Sequence, residues 1–367
     1  MMARIDELAN SAERILAWAR ANRALSEENL IPPLGAGGQA DVFPALVPGT
    51  AEFDGIRKAE RTLERLKITA VLVNAERDKL TILTKNQITA STLKALPAAI
   101  DGITVEYVGH AGVVANPPVL PQNAADSAPR CFMHNGRMAC GTSVMAAPLP
   151  GAGTFGAIVT LGNGELYGLT NNHVTGGCNH TRGDMHIMCP APYDADPDHV
   201  PPTAIGKHHG FTPLASGDVR QVPPQELDVA LFRITKPDLV TSMQGEGEYD
   251  TPTAIKAPAG GMMVKKVGRT TGLTVGQVLG VSTTPFGIPY RSPHFSSTVY
   301  FRNVWAIVTP TGEPFSSSGD SGSLVVTEDG RAAVGLIFAG GDHVSYILPI
   351  EAVLNGWGAT LVSGHGT

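Results

Sequence analysis

Three polar residues of the second half of the chain have the types and the surroundings that acyl transfer requires. His173 ends the apolar run LYGLTNNHV, Asp228 opens ELDVALFRI, and Ser321 lies in the glycine-rich turn SSSGDSGSLVV. A serine hydroxyl is a poor nucleophile near neutral pH, so an imidazole must take its proton and a carboxylate must orient that imidazole. Together these residues predict a Ser-His-Asp mechanism.

The turn around Ser321 also offers what the negative oxygen of a tetrahedral intermediate needs, namely backbone N–H groups aimed at one point. Gly319 precedes Ser321 by two positions, and a glycine there lets the turn direct its own N–H and that of the serine inward. We therefore expect Gly319 and Ser321 to form an oxyanion hole.

The chain order excludes a second class of hydrolase. The nucleophile elbow of α/β-hydrolases reads G-x-S-x-G, and its serine precedes the acid and the histidine. Here position 323 is a serine, and both His173 and Asp228 precede Ser321. The alternation of strands and helices that predicts a parallel sheet is also missing from this half of the chain.

The composition is that of a globular protein and excludes other classes. Of the 367 residues, 43% are hydrophobic and 16% charged. The net charge of −6, without a basic block, argues against a nucleic-acid partner. No apolar run approaches the roughly 18 residues that span a membrane. The N-terminus lacks the apolar core of an export signal, so we expect a cytoplasmic protein with four reduced cysteines.

Residues 1–112 have the pattern of a small α/β accessory domain. Apolar residues recur at helical spacing over 5–20, a second helix is predicted over 53–66, and KITAVLVNAERDKLTILTK predicts a β-hairpin. A short helix and another strand follow. We expect the first helix to dock on its own domain and to be the surface through which copies of the chain self-associate, and we expect the N-terminal domain to be where a regulatory partner binds.

The stretch 113–130 is rich in proline and alanine and is the predicted linker to a second domain, 131–367. In that domain short β-rich runs alternate with turn residues, to which the 42 glycines and 28 prolines of the chain contribute. This pattern predicts an all-β barrel or sandwich with one closing helix, EAVLNGWG. A protein that starts near Arg130 is expected to fold on its own.

The segments LTNNHV, LDVALFRI and SGDSGSLVV resemble the three signatures of chymotrypsin-like (trypsin-like) serine proteases, in the same order and at similar separations of 55 and 93 residues. The segments GTFG, GRTTGLTVG and VGLIFAGG resemble more narrowly the narrow-leaf type of plant and bacterial trypsin-like proteins. That group also tends to carry an α/β region ahead of the protease domain. The resemblance covers roughly residues 136 to 357.

The resemblance implies two six-stranded antiparallel β-barrels with the active site between them. His173 and Asp228 would come from the first barrel, and Ser321 from the second. It implies a serine endopeptidase that cleaves protein or peptide substrates through an acyl-enzyme, needs no cofactor and is regulated by its N-terminal domain. The alternative is a catalytically silent scaffold or peptide-binding module on the same fold, against which the complete triad argues.

Further residues are assigned through the same resemblance. Phe315, six positions before the nucleophile, would form the base of a shallow apolar substrate pocket with Ala339 and Gly340 as walls; alternatively, Phe315 turns into the barrel core. His343 in that pocket would favour acidic substrates. In the turn GRTTG, Arg269 would neutralise Asp320, because a buried carboxylate without a cation is costly.

Two groups of potential ligands lie between His173 and Asp228. Cys178, His180, His186 and Cys189 have the types of a zinc site, but their spacing matches no known pattern, so we expect unpaired cysteines and no metal. Asp194, Asp196 and Asp198 resemble the start of a calcium loop. His199 and Ile205 stand where an EF-hand needs Gly and Glu, so a solvated turn is expected there.

Overall fold

The structure is a computed structural model that describes residues 2–26, 53–109, 131–195, 200–217, 221–282, 284–310, 313–341 and 343–367, with the side chains of residues 2, 3 and 53–56 left aside. The predicted linker, 113–130, lies outside the described residues, and the domain boundaries stay a prediction. No helix of the described ranges has both the length and the apolar character needed to cross a lipid bilayer.

The N-terminal part is a small sheet covered by helices. Its elements are α1 (Met2–Ala21), α2 (Phe53–Leu66), β1 (Ile68–Asn74), β2 (Lys79–Thr84), α3 (Ala90–Leu93), β3 (Ala99–Ile100) and β4 (Ile103–Val108). Strands β1 and β2 form the predicted antiparallel hairpin, and β4 runs parallel to β2. The apolar stripe of α1, with Leu8, Ile15 and Trp18, is buried in one cluster with β1 and β2.

That packing confirms that α1 docks on its own domain. Because the stripe is already covered within the chain, the packing gives no support to its predicted use for self-association, which stays a prediction. Leu8 and Ile15 have no exposed surface, and only Ile5 at the edge of the stripe is 40% exposed.

The next part of the chain forms a half-barrel and a smaller sheet. Its strands are β5 (Met133–His134), β6 (Arg137–Cys140), β7 (Ser143–Ala146), β8 (Gly153–Thr154), β9 (Ala157–Thr160), β10 (Leu166–Thr170), β11 (His186–Cys189), β12 (Thr203–Phe211), β13 (Ala230–Ile234), β14 (Val240–Gln244) and β15 (Tyr249–Asp250). The half-barrel has the order β9-β10-β13-β12-β11-β7-β8, and the smaller sheet the order β15-β14-β6-β5. Phe155, Ile158 and Phe232 lie in the core of the half-barrel.

The last part is a closed six-stranded barrel with one inserted hairpin. Its elements are β16 (Met263–Gly268), β17 (Gly272–Ser282), β18 (Phe286–Ser292), β19 (Phe295–Phe301), β20 (Val304–Val308), β21 (Leu324–Thr327), β22 (Ala333–Gly340), β23 (Ser345–Pro349), α4 (Ile350–Trp357) and β24 (Thr360–Leu361). The order β16-β21-β22-β23-β20-β17 closes because β16 also pairs with β17, whereas β24 pairs with β9 and belongs to the half-barrel sheet. The predicted mainly β double barrel behind a small α/β part is confirmed, but only the second of the two predicted six-stranded barrels is closed, and the first is a half-barrel.

The N-terminal sheet is continuous with the closed barrel. Strand β1 pairs with the end of β17, with Leu72 opposite Ser282 and Val73 opposite Val281. The buried side chain of Asn74 donates to the carbonyl of Leu279 over 2.8 Å. Backbone pairing therefore joins the α/β part to the second barrel.

Candidate active site

His173 and Asp228 are brought together by two paired strands. Strand β10 leads into a single turn of π-helix, Asn172–Gly176, which carries His173. Asp228 lies just ahead of β13, and β13 pairs with β10 so that Ala230 faces Thr170. The imidazole Nδ1 lies 2.5 Å from Asp228 Oδ2, and the backbone N–H of His173 donates to Oδ1 over 3.2 Å.

The pair is arranged for proton transfer at the other ring nitrogen. Both side chains are fully buried. The carboxylate of Asp228 can only accept a hydrogen bond, so Nδ1 of the neutral His173 ring carries the proton and Nε2 holds a lone pair. Nε2 makes no hydrogen bond within the described part of the chain. A general base needs a nitrogen in this state.

Ser321 lies in a tight turn of the closed barrel, and this turn packs on the half-barrel. Its carbonyl accepts a hydrogen bond from Thr154 N over 2.8 Å. A Cβ atom added to Gly153 would lie 2.7 Å from the Ser321 carbonyl and 2.4 Å from the side chain of Val174. The turn of Ser321 and the segment that carries His173 therefore both pack closely against Gly153, where a larger side chain would not fit. No hydrogen bond joins Ser321 to His173 in the described residues.

The turn leaves two backbone donors available. The Asp320 N–H donates to Ser317 O and the Gly322 N–H to Ile337 O. Among the residues that the structure describes, neither the Gly319 N–H nor the Ser321 N–H donates to a protein acceptor. Gly319 has φ +101°, a backbone conformation that favours glycine. This geometry is compatible with the predicted oxyanion hole.

Asp320 is buried in a dense set of donors. Its Oδ1 accepts from Thr270 N over 2.7 Å, and its Oδ2 accepts from Thr271 Oγ1 over 2.7 Å and from Ser317 N over 2.9 Å. The cation nearest to it is Lys266, whose Nζ lies 3.6 Å from Oδ2 with both side chains fully buried. The charge of this carboxylate is thus compensated.

The predicted ion pair between Arg269 and Asp320 is wrong. The Arg269 guanidinium instead forms two hydrogen bonds with Asp194, Nε to Oδ2 at 2.5 Å and Nη2 to Oδ1 at 2.6 Å. Lys266 and the backbone of Thr270 already occupy the Asp320 carboxylate, so Arg269 binds elsewhere. Asp194, expected in a solvated turn, is 4% exposed. Asp196, Asp198 and His199 lie outside the described residues.

The predicted pocket is also corrected. Phe315 is buried in the core of the closed barrel against Val264 and Val278, and its ring lies on Gly276 of β17. The alternative that it turns into the core is the right one, because β17 offers a glycine there. Ala339 is buried in the neighbouring core cluster.

Gly340 lies half-buried at the end of β22, and a Cβ atom added to it would lie 3.2 Å from Ser316 Oγ. Ser316 Oγ donates to Ser345 Oγ over 2.6 Å. His343 is exposed. Gly340, predicted as a wall of an apolar pocket, thus lies beside the paired hydroxyls of Ser316 and Ser345.

One residue of the site was missed by the sequence analysis. The hydroxyl of Tyr290, on the hairpin β18–β19, donates to Asp228 Oδ2 over 2.8 Å, and its ring lies 5.6 Å from that of His173 in an edge-on arrangement. The alternation of apolar residues in FGIPY indicates a buried strand, but nothing in it specifies Asp228 as a partner.

Three of the four cysteines are buried, Cys131 is half-buried, and none of them forms a disulfide. All four are free, and the described residues contain no group of three or more His, Cys, Asp or Glu side chains that could hold a metal ion. Burial raises the pKa of Cys178 to about 12 and that of Cys131 to about 11. Both thiols therefore stay protonated near neutral pH.

Comparison with known proteins adds structural neighbours only. No protein-family model matches the chain, and no curated protein matches its sequence. A glutamic acid-specific serine protease is 19% identical with a TM-score of 0.41, covering 61% of this chain and 100% of its own. Thermobifida fusca protease A is 18% identical (TM-score 0.39, 62% and 100% covered), and Nocardiopsis protease is 16% identical (0.40, 61% and 97%). These three neighbours are chymotrypsin-like serine proteases.

Proposed function

We propose that the chain is a serine endopeptidase in which Ser321 is the nucleophile, His173 the general base and then acid, and Asp228 the orienting carboxylate. The observation that carries this proposal is the fully buried pair of His173 and Asp228, whose Nδ1–Oδ2 contact of 2.5 Å leaves Nε2 without a partner in the described residues. The contact with a buried carboxylate fixes the tautomer of His173, and a general base needs the lone pair that this tautomer leaves on Nε2.

The reaction follows from these roles. As Ser321 Oγ attacks the substrate carbonyl, Nε2 of His173 takes the hydroxyl proton, and Asp228 stabilises the imidazolium that forms. The N–H groups of Gly319 and Ser321 bind the oxyanion. The imidazolium then gives its proton to the leaving amine, which breaks the peptide bond and leaves an ester on Ser321. Water, deprotonated by His173, hydrolyses that ester.

The finer expectations belong to this proposal as well. Protein or peptide substrates are cleaved without a cofactor, the N-terminal part regulates access, and the narrow-leaf type of trypsin-like protein remains the subtype that the sequence resembles. The expected compartment is the cytoplasm. The alternative of a silent scaffold is less well supported, because binding alone requires neither a buried carboxylate nor a free Nε2 on His173.

The direct test is labelling of the purified full-length protein with a fluorophosphonate probe, followed by mass spectrometry of the modified peptide. Labelling of Ser321, lost in Ser321→Ala, is expected. The matched control is Ser318→Ala, since Ser318 is an exposed serine of the same turn and its side chain has no assigned role. Labelling at another serine, or none in the native protein, would overturn the proposal.

A further inference from the structure

Tyr290 reaches the candidate site from the inserted hairpin. Phe286, Ile288 and Tyr290 alternate along β18, and all three are buried on the same side of the hairpin. The Tyr290 hydroxyl donates to Asp228 Oδ2 over 2.8 Å, while its ring lies edge-on to the His173 ring at 5.6 Å. One side chain therefore contacts both members of the buried pair.

Three donors of the described residues bond to the Asp228 carboxylate. Two belong to His173, whose Nδ1 bonds to Oδ2 and whose backbone N–H bonds to Oδ1. In the described residues, the hydroxyl of Tyr290 is the one side-chain donor to this carboxylate that does not come from His173. A fully buried carboxylate needs donors to remain charged, so this hydroxyl stabilises the ionised form of Asp228.

The hydroxyl keeps its proton under all ordinary conditions. Burial, followed by the charge of the neighbouring Asp228, raises the pKa of Tyr290 well above its usual value of 10. Tyr290 therefore acts as a hydrogen-bond donor and not as an acid or a base.

We propose that Tyr290 is a positioning residue that fixes the Asp228 carboxylate and thereby sets the orientation and basicity of His173. The inference rests on the proposed function, since orientation of the imidazole affects turnover only if His173 is the base. By sharing the negative charge of Oδ2, the hydroxyl weakens the attraction between Asp228 and the imidazolium. Loss of the Tyr290 hydroxyl should therefore make His173 more basic and leave the Asp228 carboxylate less well fixed.

The first experiment compares Tyr290→Phe with Tyr346→Phe. Tyr346 is a buried tyrosine of the same core cluster, and its hydroxyl makes no hydrogen bond in the described residues. Tyr290→Phe is expected to lower kcat about 10- to 100-fold with KM unchanged, the loss of one hydrogen bond to a charged group. The acid limb of its pH–rate profile should move to higher pH by up to about one unit. Tyr346→Phe should change neither.

A second variant tunes the same bond without removing it. Site-specific 3-fluorotyrosine at position 290 keeps the ring and makes the hydroxyl a stronger donor. The acid limb should then move to lower pH, opposite to the shift in Tyr290→Phe. A merely structural role for Tyr290 predicts no such pair of opposite shifts, and their absence in a folded protein would overturn the inference.

The role of Asp228 is tested by a double-mutant cycle. In an Asp228→Asn background, Tyr290→Phe should change the rate of fluorophosphonate labelling less than about twofold, because the two residues act through one contact. An undiminished effect would mean that Tyr290 acts by another route. The pH titration of the His173 Nδ1 proton by NMR provides a readout that does not need turnover. If the native protein is inert, the proposed function fails, while a changed titration in Tyr290→Phe would still support the positioning role.

Discussion

The guanidinium of Arg269 and the carboxylate of Asp194 form a buried ion pair beside the turn that carries Ser321. Two hydrogen bonds of 2.5 and 2.6 Å join them, and the guanidinium also lies over the ring of Tyr193 at 5.6 Å. A Cβ atom at Gly319 would lie 2.5 Å from Arg269 Nη1. The pair thus ties a loop of the first barrel to the backbone that is expected to bind the oxyanion.

Removing one charge of this pair should weaken both the fold and turnover. Asp194→Asn leaves the guanidinium of Arg269 buried without a counterion, which typically costs about 3 kcal/mol or more. Because Arg269 also packs on Gly319, kcat is expected to fall by at least about tenfold, the effect of a slightly misplaced oxyanion donor. Urea unfolding and steady-state kinetics measure the two effects.

The control is Glu165→Gln, which breaks the exposed pair between Glu165 and Arg233. Those side chains are 45% and 47% exposed, so solvent screens the pair, the loss of stability should be small beside that of Asp194→Asn, and turnover should be unaffected. If Asp194→Asn behaves like this control, the buried pair does not support the turn.

The general base is tested by His173→Ala beside His180→Ala. Members of a catalytic triad act as one unit, so His173→Ala should lower kcat on the order of 10⁶-fold. His180 lies close by in the chain, with Nδ1 at 2.8 Å from the carbonyl of Cys178, and its loss should reduce kcat less than about tenfold. Steady-state hydrolysis of a peptide library measures both, and substantial hydrolysis by His173→Ala would remove His173 from its assigned role.

The candidate residues His173, Asp228 and Ser321 could be singled out from the sequence because each one lies in a short segment whose local sequence specifies a strand or a turn. Tyr290 and Asp194 could not, since their partners Asp228 and Arg269 lie 62 and 75 positions away. The segments around Tyr290 and Asp194 indicate only whether a residue is buried or polar. Which residue each one pairs with depends on how the hairpin β18–β19 and the loop of Asp194 pack on the barrels. A side chain that satisfies a distant buried charge has no signal in its local sequence.

Phe315 illustrates a second limit of prediction from the sequence, which concerns the direction of a side chain. Its position relative to Ser321 indicated the substrate pocket, but the direction of its ring is decided by Gly276, which leaves room for it inside the barrel. The pairing of β1 with β17 likewise has no local signature, because a strand that adds to the edge of another sheet looks like any buried strand.

The stability of the fold should depend on pH through His208. This histidine is 4% exposed, neither ring nitrogen has a partner in the described residues, and burial, followed by the charge of His209, lowers its pKa to about 4. In the unfolded chain its pKa is about 6.5. Between these two values the unfolded state binds the extra proton, so stability is complete above about pH 6.5 and falls as the pH approaches 4.

The expected loss from His208 is at most about 3 kcal/mol over that range. His208→Leu should remove the slope, while His209→Gln, at an exposed neighbour, should retain most of it. Chemical unfolding at several pH values between 4 and 8 measures the slope, and an unchanged slope in His208→Leu would assign the pH dependence to other groups.

The N-terminal part can be removed to test whether the barrels stand alone. The sequence predicts that a protein starting near Arg130 folds and still reacts with a serine probe. The closed barrel supports this, because β16 and β17 pair without the N-terminal sheet. However, removal of β1 uncovers the backbone of β17 at Val281 and Ser282, and an exposed strand edge promotes pairing between copies. We therefore expect the shortened protein to label at Ser321 but to self-associate in size-exclusion chromatography with light scattering.

Val281→Lys in the shortened protein should suppress that association, because a charged side chain on an edge strand opposes edge-to-edge pairing. Ser296→Lys, on the exposed part of β19, is the matched control and should not. An unlabelled or insoluble shortened protein would show that the two parts share one core. A monomeric one would show that β1 is dispensable for covering the edge.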